Sequence, residues 1–377
     1  MEDKMEKIIE EFMELVQIDS ASGREKKIAD TLKKKLENLG FSVTEDRAGS
    51  SFGGDTGNLT AIMEGTRSGS IMFCSHMDRV PKGDHIHPQE RNNCLVSDGT
   101  TILAADDVSG LCAILDGVRR VLASGNPHPR IEIAFTVGEE SGLWGGKYLD
   151  LSPFKSRICY VIDCPGPLGR IVNAAPGQAH LQVEVTGRAA HAGNEPEKGI
   201  DAAHILCQMI GTLKEGRLDK ETVANFPVLH TGSEATNIVC DKAWAKGESR
   251  SHSMEKLARY VDYFKHHCEK TAEGTGASVR TESKMMYDPF YIEETDPAVR
   301  IAVKALGKMG IQPLIEHGGG GMDANIFNAK GLTAIGVATG YTKNHTTMET
   351  LDKRSFIRSG ELIGKLIAGY NAGNQEE

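Results

Sequence analysis

Apolar positions recur along the chain in two rhythms, and their alternation predicts a layered α/β protein. Residues 4–17 (KMEKIIEEFMELVQ) place Ile8, Ile9, Phe12, Leu15 and Val16 at helical spacing. A second helix is expected from a cap at Ser20–Ser22 through Leu39, stopped by Gly40. Residues 41–45 alternate as a strand does, 47–58 read as loop, and 59–64 as another strand. The stretch 71–80 (IMFCSHMDRV) is an apolar run closed by Pro81, Lys82 and Gly83, which fits a strand buried on both faces. A buried helix is expected over 111–122, and strands over 130–137 and 158–162.

After a Pro/Gly-rich connector at 166–177 the texture changes. Strand-like 179–186, a loop at 187–193, a helix at 202–213, strands at 237–240 and 243–247, a helix at 254–270 and a strand at 277–283 follow in turn. This β-α-β-β-α-β order predicts a ferredoxin-like α+β unit, set as a lid at 178–287 between two parts of the main domain, 1–177 and 288–377. The second part opens with a helix at 297–306 and a strand at 312–316. The glycine loop from His317 to Asp323, a short helix at 324–328 and a strand at 333–337 come next, and a last helix runs to about Tyr370.

Composition narrows the class. Of 377 residues, 39% are hydrophobic and 25% charged, ordinary for a protein with real cores. The net charge of −9, with scattered Lys and Arg, argues against nucleic acid or an anionic membrane as partner. The polar N-terminus reads as an amphipathic helix and not a signal peptide, and no apolar run reaches transmembrane length. The eight cysteines form no C-x-x-C pair, so reduced thiols in the cytoplasm are expected.

The candidate chemistry lies where strands end. His76 and Asp78 follow the buried run, Asp106-Asp107 precede the helix at 111–122, Glu139-Glu140 follow 130–137, and Asp163 follows 158–162. An N-cap explains one carboxylate at Asp106-Asp107, and a core histidine with a turn aspartate is the plain alternative for His76 and Asp78. Ligands bind at the carboxyl ends of strands in open α/β sheets. Acids converging there repel unless a cation lies among them, so a metal centre is the economical reading. Two cations sharing a hydroxide could polarise a scissile carbonyl, with a neighbouring glutamate moving the proton.

Together SHMD (75–78), AADD (104–107), GEES (138–141), ID (162–163), GRAAH (187–191), GES-R (247–250), GGGGMDAN (318–325) and NHT (344–346) resemble the peptidase T and aminoacylase superfamily of two-metal hydrolases, peptidase T-like tripeptidases above all. The glutamyl aminopeptidase family shares several motifs but inserts its extra domain between the histidine and the DD pair; here only 30 residues separate His76 from Asp106.

The resemblance implies a three-layer catalytic domain with a mixed, mostly parallel sheet, and a lid that dimerises. It implies two divalent ions, zinc first with cobalt or manganese as alternatives. His76 and Asp163 would hold one ion, Glu140 and His345 the other, and Asp106 would bridge them. Asp78 would orient His76, and Glu139 would be the general base. A cis peptide is implied at Asp106–Asp107. His191 would steady the oxyanion in a partner subunit's site. Arg250 would bind a peptide's terminal carboxylate, and Asn237, Gly319 and Gly320 would contact substrate.

The implied activity is release of the N-terminal residue from short peptides. An N-acyl amino acid amidohydrolase or dipeptidase on the same metals is the alternative, and a non-catalytic metal-binding regulator is a third class that Glu139 argues against. Val108-Ser109 after the DD pair and Met322 before Asp323 depart from the family pattern, which puts specificity in question rather than the ligands.

Overall fold

The apolar run before His76 becomes the strand Ser70–His76, buried at every position. It is flanked in parallel by Arg130–Thr136 and Ile158–Cys164. The computed structural model describes residues 2–232 and 234–370. The chain divides into two compact units: Met1–Ala174, Tyr291–Gly318 and Met322–Glu377 form one, and Ala175–Phe290 with Gly319–Gly321 form the other.

In the first unit the sheet runs Ser42–Glu45, Leu59–Met63, Arg130–Thr136, Ser70–His76, Ile158–Cys164, Thr333–Ala338, Arg170–Ala175, with Leu314–His317 pairing alongside the last. The central pairings are parallel, and antiparallel strands join toward the edges. Helix Ala105–Ser124 is buried along most of its length against the sheet. It packs on Lys353–Gly369 so closely that a Cβ at Gly117 would lie 2.4 Å from Ile363 Cβ. The parallel centre puts the carboxyl ends of Ser70–His76, Arg130–Thr136 and Ile158–Cys164 on one side of the sheet, the requirement for a shared site.

The second unit is an antiparallel sheet in the order Gly216–Arg217, Thr222–Thr231, Lys242–Ser251, Gly177–Thr186, Ser278–Tyr287. Helices Ala202–Thr212 and Met254–Ala272 cover one face over a core that includes Leu181, Val183, Leu206 and Phe264. The order of elements is the ferredoxin-like one.

Three local expectations fail for physical reasons. Residues 237–240 form no strand; only an isolated bridge links Ile238 to His191. The sheet partner is Thr222–Thr231, whose pattern is broken by Pro227 at a bulge between Asn225 and Val228, where a missing N–H is tolerated. The connector at 166–177 contains the strand Arg170–Ala175, masked by its flanking glycine and proline residues. Ser20–Ser22 do not cap the second helix, which runs Lys26–Asn38 from Glu25. Ser20 Oγ instead accepts from Arg79 Nε at 3.0 Å, and Ser22 Oγ donates to Asp78 Oδ2 at 2.5 Å.

A small sheet of Gln89–Arg91, Cys94–Val96, Thr350–Asp352 and Tyr341–Thr342 was also not foreseen, since its strands have two or three residues each. It has a purpose in the fold: its last two strands close a hairpin whose loop carries Asn344 and His345.

Candidate metal centre

Strand ends deliver most of the cluster. His76 ends its strand, Asp163 is the last residue but one of strand Ile158–Cys164, and Glu139-Glu140 follow Arg130–Thr136 after two residues. Asp106 sits at the start of Ala105–Ser124, where Asp106 and Asp107 leave helical geometry and their peptide bond is cis. His345 comes from the hairpin, with a left-handed backbone (φ +62°) that non-glycine residues adopt at some cost.

The donors converge. One carboxylate oxygen of Asp106 lies 3.1 Å from His76 Nε2 and the other 3.3 Å from His345 Nε2. Asp163 Oδ1 is 3.8 Å from His76 Nε2, and Glu140 Oε1 is 3.0 Å from His345 Nε2. His76, Asp106 and Glu140 offer donor atoms within 4.8 Å of one another, as do His76, Glu139 and Asp163. Glu139 therefore stands among the donors rather than merely beside them.

Neighbouring groups fix this arrangement. His76 Nδ1 lies 2.9 Å from the Asp78 carbonyl and 3.4 Å from its Oδ1, which directs Nε2 at the cluster. The Asp78 carboxylate accepts the amides of Glu139 and Glu140 at 2.9 and 3.2 Å. Tyr341 donates to Asp163 Oδ1 at 3.1 Å, and Asn344 Nδ2 to Asp106 Oδ2 at 2.7 Å. Asp107 takes no direct part; it accepts from Ser75 Oγ and from the amides of His76 and Gly110.

Charge defines what the cluster needs. Burial, then the charge of Asp106, pushes Asp163 well above the carboxylate range; burial, then Asp106, also raises Glu140. Glu139 is raised by burial and by Glu140, Asp323 and Asp78. Asp106 goes the other way: burial opposes its charge, but hydrogen bonds with His345 and His76 hold it well below the usual value. His76 is raised against the effect of burial by Asp163, Asp106 and Asp78. Two like charges 4 Å apart repel by about 4 kcal/mol at an effective dielectric near 20. Four carboxylates with only two imidazoles call for more positive charge, and this mixed N/O donor set suits divalent transition ions.

The other expected residues lie in the second unit. His191 is exposed, and its Nδ1 accepts the amides of Gly193 and Asn194, both at 3.1 Å. That leaves the ring proton on Nε2. Asn237 is its neighbour, accepting the Ala192 amide on its carbonyl at 3.0 Å. Arg250 pairs through Nε and Nη2 with the two oxygens of Glu248 at 2.7 and 3.3 Å. A Cβ at Gly320 would lie 3.7 Å from Arg250 Nη1, and one at Gly319 would meet nothing. Gly321 packs closely on the Tyr287 ring, which a Cβ at that position would approach to 2.3 Å.

Three supporting residues were not anticipated. Glu349, Ser22 and Glu25 contact the site from distant parts of the chain. None has a local sequence signal beyond being a polar residue near apolar neighbours.

Comparison with known proteins agrees with this architecture. The peptidase dimerisation domain model of the M20 peptidases matches residues 173–276, and the model for peptidase family M28 matches 58–187. An uncharacterised Bacillus subtilis protein, YqjE, is 38% identical, covering 96% of this chain and 97% of its own. The solved aminopeptidase PepT of Bacillus cereus is 39% identical with a TM-score of 0.88, covering 97% of this chain and 98% of that one. A Staphylococcus aureus tripeptidase is 34% identical with a TM-score of 0.91, covering 96% and 97%. The chain belongs to the M20 family of metallopeptidases, in its peptidase T group.

Proposed function

We propose that this chain is a two-metal aminopeptidase that removes the N-terminal residue of short peptides, tripeptides above all. The observation that carries the reading is the Asp106 carboxylate, shared between His76 and His345. It divides the donors into a His76–Asp163 half and a Glu140–His345 half, each suited to one ion, with Asp106 common to both. Zinc is the first choice for this set, cobalt or manganese the next. When bound, two such ions supply Lewis acidity that polarises a carbonyl and acidifies a water.

The residues of the chain do the rest. Glu139 takes the proton of the attacking water and returns it to the nitrogen of the leaving amine. Its place among the donors, with an oxygen within 4.8 Å of those of His76 and Asp163, supports that role. Asp78 keeps the His76 ring aimed. His191, with its Nε2 proton free to donate, steadies the developing oxyanion, and Asn237 assists it. Arg250 binds the terminal carboxylate, while the Gly319 and Gly320 amides approach the peptide. A homodimer formed through residues 178–287 is part of the reading, supported by the match to a peptidase dimerisation domain. So is a cytoplasmic setting, supported by eight free thiols.

The test is turnover of metal-reconstituted protein on a free-amine tripeptide and its N-acetylated counterpart. Cleavage of the free tripeptide alone is expected. Cleavage of the acetylated form at its acyl bond would make the protein an amidohydrolase instead. Glu139→Gln should lower kcat by roughly 10²–10⁴-fold with metal content unchanged; joint loss of metal would assign Glu139 to the ligands.

A further inference from the structure

The loop that carries Glu139 and Glu140 is held by its own amides. Val137 N donates to Asn58 Oδ1 at 3.1 Å, Gly138 N to Glu25 Oε1 at 3.0 Å, Glu139 N to Asp78 Oδ1 at 2.9 Å and Glu140 N to Asp78 Oδ2 at 3.2 Å. Consecutive peptide groups are thus pinned by side chains from three separate stretches of chain. A planar peptide leaves only φ and ψ free at each residue. Fixing successive N–H vectors therefore fixes the Gly138 and Glu139 dihedrals, and with them the direction of the Glu139 Cα–Cβ bond.

Glu25 is the member of this set that touches neither a metal-donor side chain nor the sheet; its other partners are the amides of its own turn, Gly23 and Glu25. It is fully buried at the start of Lys26–Asn38, yet its side chain does not cap that helix. Asp78 also faces His76, and Asn58 also joins Gly145 to the sheet through its amide nitrogen. Gly138 has no slack on its other side: its φ is +59°, and a Cβ there would lie 2.7 Å from the Phe52 ring. Its carboxyl is costly to bury; besides the amides of Gly23 and Glu25 in its own turn, it takes the amide of Gly138 from a stretch more than a hundred positions away.

We propose that Glu25 is a positioning residue for the reaction, which aims the Glu139 carboxylate by anchoring the Gly138 amide. This rests on the reading of Glu139 as general base. What matters is an acceptor oxygen at the reach of a glutamate, not the negative charge.

The test compares three variants of the metal-loaded protein on a tripeptide, with metal per chain measured alongside. Glu25→Gln keeps an acceptor at the same reach, Glu25→Asp keeps the charge but withdraws the acceptor by one methylene, and Glu25→Ala removes it. Glu25→Asp and Glu25→Ala should lose roughly tenfold or more in kcat, with KM within about threefold and both metals retained, as misaligned reacting groups do. Glu25→Gln should recover most of the kcat. If Glu25→Ala fails to fold, the Gln-against-Asp contrast decides. Glu25→Asp equal to or better than Glu25→Gln overturns the inference, as do kcat losses that follow metal loss. Glu139→Gln separates the two claims. Its keeping full turnover removes the base and Glu25's role together; its inactivity beside a flat Glu25 series removes only the latter.

Discussion

Glu349 Oε1 accepts the backbone amide of Asp106 at 3.0 Å. Its other oxygen takes the amides of Leu103 and Ala104, both at 2.9 Å. The turn that delivers the shared carboxylate is therefore built around a buried acid from the hairpin that carries His345. Glu349→Ala strips three buried amides of their acceptor, at about 1–3 kcal/mol each. Denaturant unfolding should show a loss of at least about 3 kcal/mol, together with weaker metal retention. An unchanged unfolding midpoint would mean that the turn holds itself.

Metal binding should displace protons. In the metal-free protein, hydrogen bonds to Asp106 and Glu140 raise His345 to about 10. Its folded value lies above the unfolded one, so its contribution to metal-free stability is full below about pH 6.5 and is lost as pH rises through about 10. Calorimetric titration with a divalent ion at pH 7.5, in two buffers of different ionisation enthalpy, should report net proton release. Metal-free protein should melt at progressively lower temperature from neutral pH toward pH 10. Zero release would mean that His345 is already neutral before the ion arrives.

Arg250 offers a third measurement. Its Nε–Nη2 edge is occupied by Glu248, which itself accepts from Gln178 Nε2. If the remaining guanidinium face binds a substrate carboxylate, Arg250→Ala should raise KM by about 10–100-fold for a free tripeptide, the worth of one charged hydrogen bond. The C-terminally amidated tripeptide should be much less affected. Equal effects on both substrates would remove the carboxylate from the argument.

Arg79 is a structural prediction. It is buried and donates to the carbonyls of Val16, Ile18 and Gly83 and to Ser20 Oγ. It thereby ties the segment before the second helix to the residues that follow His76. Arg79→Met leaves several of these acceptors without a donor. It should cost at least about 3 kcal/mol of stability by chemical denaturation. A variant as stable as the parent would show that water replaces the guanidinium.

The sequence made some of this visible and hid the rest for physical reasons. The stretch around Cys74 could be read as a doubly buried strand because no polar residue interrupts it before Ser75, and the acids stood out because they follow apolar runs directly. Thr222–Thr231 was hidden because Pro227 looks like a breaker until the bulge is seen. Ser20 and Ser22 looked like caps because capping is what serines before a helix usually do; their partners are more than 50 positions away. Glu25 and Glu349 were hidden in the same way. Their partners are backbone amides, which have no identity in a sequence.

His76 belongs to a buried strand and its side chain is 1% exposed, whereas His345 sits on a turn with its side chain 48% exposed. The two imidazoles of the cluster therefore differ in their access to solvent. An ion held by His76 would be enclosed like a structural fixture, while one held by His345 would have solvent at its shoulder and would leave first when chelator competes. Activity would then follow the free divalent-ion concentration through the occupancy of one half-site, and the singly loaded protein would be a folded, inactive reserve that a returning ion restores without refolding.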